Sequence, residues 1–391
     1  MPTAGRRRRG AALLCVLTAL VTACSPGGQA TPRAETATTP PSSEPPGPEE
    51  RVAKVLAGLD RRAQVAQLFV AGVPLEDPGS GDALAQSGVG GLFLAGRSDA
   101  PATELATDAA RWQSLVAGPG LWVAVDQEGG DVQTLRGPGF DPLPSAVAQG
   151  ALPAGELAAL AESMGGTLRH GGLNLNLAPV VDVVPAGTET ANEPIGSFDR
   201  HYGSTPEIVT AAARTVIDGL ARAQVTATLK HFPGLGHVQE NTDSSADVTD
   251  ATTTADDAQV GVFAELARSP AEPFVMVSSA TYPQIDPAQQ AAFSSVVVTD
   301  LLRERLGFDG VVISDDLGNA AAVRDVAPGE RAVRFLAAGG TLVLTVEPAI
   351  VPEMIDAVLA RSDTDPGFAA TVDDAVRTAL LAKDRAGLLG G

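Results

Sequence analysis

From Gln67 onward the apolar residues gather in eight short runs: Gln67–Val73, Gly91–Ala95, Leu121–Asp126, Leu173–Val183, Ala227–His231, Phe274–Ala280, Gly310–Asp315 and Thr341–Val346. Most are near-continuous rather than alternating, as parallel strands covered on both faces should be. Each is separated from the next by enough chain for a crossover helix. Some separators are alanine-rich and amphipathic, as in Pro153–His170 and Pro206–Ala223. Eight strands alternating with helices predict a (β/α)8, TIM-like barrel, an α/β fold in one domain over residues 51–391. That span exceeds the ~250 residues usual for such a barrel, and loop insertions account for the excess.

Polar residues collect where these runs end. Asp126 follows Leu-Trp-Val-Ala-Val, Asp182 follows Ala-Pro-Val-Val, Lys230 and His231 follow Ala-Thr-Leu, and Asp315 and Asp316 follow Val-Val-Ile-Ser. In a barrel the carboxyl ends of the strands share one face, so residues far apart in the chain become neighbours there. The Lys230-His231 run then breaks at Pro233-Gly234 into a polar loop with His237, Glu240, Asp243 and Asp247. Only three lysines and four histidines occur in the chain, so this concentration marks a site. Taken singly, any of these groups could be a buried ion pair or a cap. Asp316 in particular could cap a helix starting near Leu317.

The amino terminus has a different pattern. Arg6 to Arg9 precede an apolar stretch, Ala11 to Ala23, which is too short to cross a bilayer but suits a signal peptide. It ends in Val21-Thr22-Ala23-Cys24, similar to a bacterial lipobox, in which the cysteine is lipidated. The expectation is a signal peptide over 1–23 and a mature chain lipid-anchored to the cell membrane, outside the cytoplasm, through Cys24. A secreted protein with an incidental cysteine is the plainer alternative. Residues 24–50 are rich in Pro, Thr and Ser without periodicity, and are predicted to be a disordered tether.

Composition narrows the function. Both cysteines lie in the first 24 residues, so no disulfide framework or thiolate metal site is available downstream. The histidines lack ligand spacing, and neither a metal nor another cofactor is expected. A net charge of −20 argues against nucleic-acid partners, which require clustered cations.

Four motifs in order then carry a family resemblance: Val125-Asp-Gln-Glu-Gly-Gly130, Leu177-Ala-Pro-Val-Val-Asp-Val183, Lys230-His-Phe-Pro-Gly234 and Gly307-Phe-Asp-Gly-Val-Val-Ile-Ser-Asp-Asp-Leu317. Together they resemble the family 3 glycoside hydrolases, most nearly the single-domain β-N-acetylglucosaminidases that trim cell-wall fragments. The resemblance implies a retaining exo-glycosidase that removes terminal β-N-acetylglucosamine from peptidoglycan-derived fragments, with a small carbohydrate or muropeptide as substrate. A monomer is expected, although nothing in the sequence sets the oligomeric state. By the same resemblance Asp315 is the nucleophile. Asp126, Lys230 and His231 bind sugar hydroxyls, and Arg200 contacts substrate.

The chain departs from that pattern at several positions. The family's loop carries Asp-Ser-His, whose histidine is the acid/base; here Asp243-Ser244-Ser245 stands in its place. Asp243 and His237 are therefore the two candidates for the proton-transfer group. Asp131 replaces an arginine, Ser278-Ser279 an Ala-His pair and Asn319 a methionine. These departures leave two alternatives open: a related β-glucosidase, or a non-catalytic sugar-binding envelope lipoprotein on the same scaffold. A Schiff-base aldolase built on Lys230 is a minor third, because nearby carboxylates would oppose the lowered lysine pKa it needs.

Overall fold

A computed structural model describes residues 46–389. The signal peptide, Cys24 and most of the expected tether lie outside them. The first helix, α1 (Pro48–Ala57), begins inside the stretch assigned to the tether. Pro48 opens it, and Glu49 and Glu50 in its first turn suit the positive end of the helix dipole. Arg51 then pairs with Asp384 at 2.5 Å, tying α1 to the final helix, Pro366–Arg385.

The eight apolar runs all contain strands: β1 (Phe69–Pro74), β2 (Gly91–Ala95), β3 (Trp122–Val125), β4 (Leu175–Asn176), β5 (Thr228–Phe232), β6 (Phe274–Val277), β7 (Val312–Ser314) and β8 (Val343–Thr345). They form two parallel sheets, ordered β8-β1-β2-β3-β4 and β7-β6-β5. Parallel bridges join the sheets at both edges. Leu175 pairs with Thr226 and Val180 with Lys230 on one side, and Ile313 pairs with Leu342 on the other. Side chains of β1 and β5 are buried along nearly their whole length, which is why those sequences run apolar without alternation.

Helices follow the strands and cover them. Thr205 caps Pro206–Arg222, and Val209, Ala213, Val216, Ile217 and Leu220 recur on its buried face. Ala154–His170 buries Leu157, Ala161, Met164 and Leu168 by the same spacing and packs against it. Gly219 allows that approach, since a Cβ there would lie 2.5 Å from the Cβ of Ala161. Among the described residues no helix is long and apolar enough to cross a membrane.

Candidate active site

The carboxyl ends of the strands open into a cavity of about 340 Å³ lined by Asp126, Arg200, Lys230, His231, Asp243 and Asp315, with Phe93, Leu177, Met276 and Leu344 among its apolar walls. Six residues singled out from the sequence thus share one cavity. Asp126 follows β3, Lys230 and His231 lie on β5, and Asp315 follows β7.

One wall is a buried charge cluster. Lys230 Nζ lies 2.5 Å from Asp126 Oδ1 and 2.7 Å from Glu128 Oε1. Glu128 in turn accepts two hydrogen bonds from Arg200, at 2.8 and 2.7 Å, while a third Arg200 nitrogen donates to the Pro194 carbonyl at 2.8 Å. Burial by itself would raise the Glu128 pKa. The charges and hydrogen bonds of Arg200 and Lys230 override it and bring the group down to about 2. Lys230 is likewise penalised by burial, yet Asp126 and Glu128 hold its pKa above the ordinary lysine value. A lysine kept protonated in this way cannot serve as a Schiff-base nucleophile, which disposes of the aldolase reading.

His231 is oriented from behind. Asp182, fully buried, accepts from the His231 backbone N–H at 3.1 Å and the Leu235 N–H at 2.8 Å through one oxygen. Its other oxygen lies 2.8 Å from His231 Nδ1. A carboxylate facing Nδ1 places the proton there and leaves Nε2 for whatever occupies the cavity.

Asp315 and Asp316 have different surroundings. The Asp315 backbone is tied to β6 through its N–H and the Val277 carbonyl, and its Oδ1 accepts the Asp316 N–H at 2.8 Å. Its Oδ2 takes no hydrogen bond among the described residues. Asp316 also borders the cavity, but its oxygens accept four backbone N–H groups: Gly318 and Asn319 at 2.8 Å, Val346 at 2.9 Å and Ala320 at 3.2 Å. No helix begins at Leu317, so the expected helix cap is instead a clamp on an irregular loop. Burial raises the Asp316 pKa against the lowering effect of those bonds.

The structure separates the two loop candidates. Asp243 lines the cavity, whereas His237 does not. His237 Nδ1 sits 3.1 Å from Thr253 Oγ1 and 3.8 Å from Asp250 Oδ2. The chain leaves β5 too tightly for anything else. A Cβ on Gly236 would fall 1.8 Å from the Val183 carbonyl, and Asn192 Nδ2 binds the Leu235 and Val238 carbonyls at 2.7 and 2.8 Å. Asp243 as a whole is exposed, but protein crowds its carboxyl. That crowding, followed by the nearby Asp315 charge, raises its pKa to about 6.

Glu128 and Asp182 carry no assigned role in the sequence reading, although each leaves a trace there. Glu128 stands two residues after Asp126, the spacing that puts side chains on one side of an extended chain. Asp182 is an acid inside an apolar run, which requires a buried partner. No cluster of three or more His, Cys, Asp or Glu placed to hold a metal occurs among the described residues.

Parallel strands ending in clustered carboxylates, a lysine and an oriented histidine agree with a family match: residues 62–380 match the glycosyl hydrolase family 3 N-terminal domain, and the chain belongs to that family. A β-hexosaminidase of Xanthomonas campestris pv. campestris (strain B100) is 35% identical over 290 residues, covering 72% of this chain and 84% of that protein. Among solved structures, the β-N-acetylhexosaminidase from Beutenbergia cavernae DSM 12333 is 46% identical with a TM-score of 0.80, covering 83% of this chain and 99% of that one. A family 3 β-N-acetylglucosaminidase from Paenibacillus sp. str. FPU-7 is 30% identical with a TM-score of 0.75, over 85% of this chain and 64% of that one.

Proposed function

We propose that this chain is a retaining exo-β-N-acetylhexosaminidase that releases terminal β-N-acetylglucosamine from peptidoglycan-derived fragments. Asp315 acts as the nucleophile, and its free Oδ2 attacks the anomeric carbon to give a glycosyl ester that water later cleaves. The observation that carries this reading is the convergence of Asp315, the Asp126–Lys230 pair and the Asp182-oriented His231 on one cavity. The Asp126 carboxyl and protonated Lys230 offer acceptors and charged donors to sugar hydroxyls. His231 Nε2 and Arg200 complete the grip. A cavity of about 340 Å³ is small for a ligand pocket and suits one terminal sugar better than a threaded chain.

The scaffold reading is a closed (β/α)8 barrel of one chain, supported by the bridges at both edges of the two sheets. A working monomer is part of the same reading. The mature protein is anchored outside the cytoplasm through acyl chains on Cys24, a reading supported by the Val-Thr-Ala-Cys sequence. Cys24→Ala should release the protein or leave it unprocessed; normal processing with unchanged membrane association would reject the anchor.

The catalytic reading is tested by offering the protein a chromogenic β-N-acetylglucosaminide and the matching β-glucoside. Turnover of the first alone is expected, falling by several orders of magnitude in Asp315→Asn, with a 5-fluoro sugar labelling Asp315. Preference for the glucoside would instead make it a β-glucosidase. The loop's missing histidine favours one further alternative, a sugar-binding lipoprotein without activity, and measurable binding with no turnover of either substrate would establish it.

A further inference from the structure

We propose that Asp243, acting without a histidine, is the proton donor and acceptor of the reaction. The proposal rests on the glycosidase reading above and deepens it. Retaining glycosidases need a second group, beside the nucleophile, that gives up a proton and takes one back.

Elimination narrows the choice among groups lining the cavity. Asp126 is paired with Lys230, and Lys230 is held charged by two carboxylates. Asp316 is filled by four backbone N–H groups, and His231 is tied through Nδ1 to Asp182. Arg200 stays charged against Glu128. Asp243 remains, and its carboxyl oxygens have no hydrogen-bond partner among the described residues.

Position supports it as well. The Asp243 carbonyl accepts the Ala321 N–H and the Thr242 carbonyl accepts the Ala322 N–H, each at 3.1 Å. Ala321 and Ala322 lie on the segment that leaves the nucleophile, and Asp316 clamps the start of that segment to Val346. The loop is shaped locally by Asn241, whose Oδ1 accepts the Asp243 N–H at 2.9 Å and whose carbonyl accepts the Ser245 N–H at 2.8 Å. Two backbone hydrogen bonds thus hold the second carboxyl on the same body as the first.

Charge suits the task. Crowding around the carboxyl and then Asp315 raise the Asp243 pKa to about 6, Asp316 adds to the rise, and Arg200 and His231 oppose it. A carboxyl in that range is protonated often enough to act as an acid and ionised readily enough to act as a base. In the first step the Asp243 proton passes to the glycosidic oxygen while an Asp315 oxygen bonds to the anomeric carbon, and the bonding pair leaves with the aglycone as an alcohol. In the second, ionised Asp243 takes a proton from water as the water oxygen bonds to that carbon and the ester to Asp315 breaks. Both carboxyls return to their starting states.

The test compares Asp243→Asn with wild type on two β-N-acetylglucosaminides, one with a sugar aglycone and one with dinitrophenolate, which leaves without a proton. For the sugar aglycone kcat/KM should fall by ~10²–10⁴, the usual worth of acid catalysis. For dinitrophenolate kcat/KM should stay within about tenfold, because C–O cleavage needs no proton there. Azide should accelerate the variant on the second substrate and yield the β-glycosyl azide. The glycosyl-Asp315 ester should accumulate in intact mass spectra, which also shows that the variant is folded. The alkaline decline of wild-type kcat/KM near the Asp243 pKa should vanish in the variant. His237→Ala should show no such dependence on leaving group. Equal losses on both substrates, no azide product, no ester, or the leaving-group pattern in His237→Ala instead, would each overturn the assignment. A wild-type protein inert on both substrates would count against the glycosidase reading itself, a separate outcome.

Discussion

Glu128 holds together the two cations that line the cavity, Arg200 and Lys230. Arg200 and Lys230 would repel each other across a small buried space, and the carboxylate between them neutralises and aligns both. Glu128→Gln should therefore raise KM more than it lowers kcat. Removing one partner of a buried charge cluster should also lower stability by about 3–5 kcal/mol. The sign with pH follows from its depressed pKa. Stability from this group is complete above the ordinary glutamate value of 4.5 and is lost as pH falls towards about 2. The variant should lose less stability than wild type across that window, as thermal melts at stepped pH would show; parallel curves would reject the coupling. At this scale the sequence reading is selective. It places Asp126, Lys230, His231 and Asp315 through residues that interrupt apolar runs. Supporting carboxylates are harder to see, because what Glu128 and Asp182 do depends on partners 72 and 49 residues away.

At the level of elements, strands were more legible than loops. Continuous apolar runs locate all eight parallel strands, since burial on both faces leaves no polar alternation to mislead. They do not locate the short antiparallel pairs, Gln127–Gly129 with Val132–Gln133 and Thr281–Tyr282 with Asp286–Gln290. The fourth run is the weakest match: Leu173–Val183 yields only Leu175–Asn176 as strand, followed by the lone Val180 bridge. Pro179 has no N–H to give to a ladder, so the regular pairing stops before it. Loops are set by contacts that no periodicity reports. His237 looked suited to proton transfer, yet Asn192 and the close Gly236–Val183 approach keep it off the cavity. The loop after β7 depends on Asp316, and Asp316→Ala would leave four backbone donors without their acceptor. Unsatisfied groups cost about 1–3 kcal/mol each when buried, and partial exposure here reduces the total. A loss of at least about 2 kcal/mol is expected, measured by urea unfolding. Asp316→Asn, which keeps one carbonyl acceptor, should lose less and retain activity better than Asp315→Asn. If Asp316→Asn were the more inactive of the two, the division of labour between the neighbouring aspartates would be reversed.

For the whole molecule, the order of elements indicates the fold class but says nothing of what Lys383 does. This residue lies on the final helix, is fully buried, and donates to Gln67 Oε1 at 2.7 Å. Its spacing puts it on the buried stripe of Pro366–Arg385 with Val372, Val376, Ala379 and Leu380, a place for an apolar side chain, and its partner Gln67 lies 316 positions earlier. Among the described residues no carboxylate pairs with it, and burial lowers the Lys383 pKa from 10.5 to about 7. The unfolded chain therefore binds more protons than the native one between about pH 7 and pH 10.5. Stability should rise with pH across that window and show no change from this group below it, where both states are protonated. Lys383→Met keeps the apolar stem and removes the titrating group. It also orphans Gln67 Oε1, whose amide nitrogen stays bonded to the Gly88 carbonyl, so its absolute stability combines a gain and a loss. The slope is the cleaner quantity. Melting temperatures recorded from neutral pH upward should climb more steeply in wild type than in the variant, and the variant should compare best at the acidic end. Profiles that run parallel throughout would mean that Lys383 is charged in the native state, with its ammonium stabilised by groups other than Gln67.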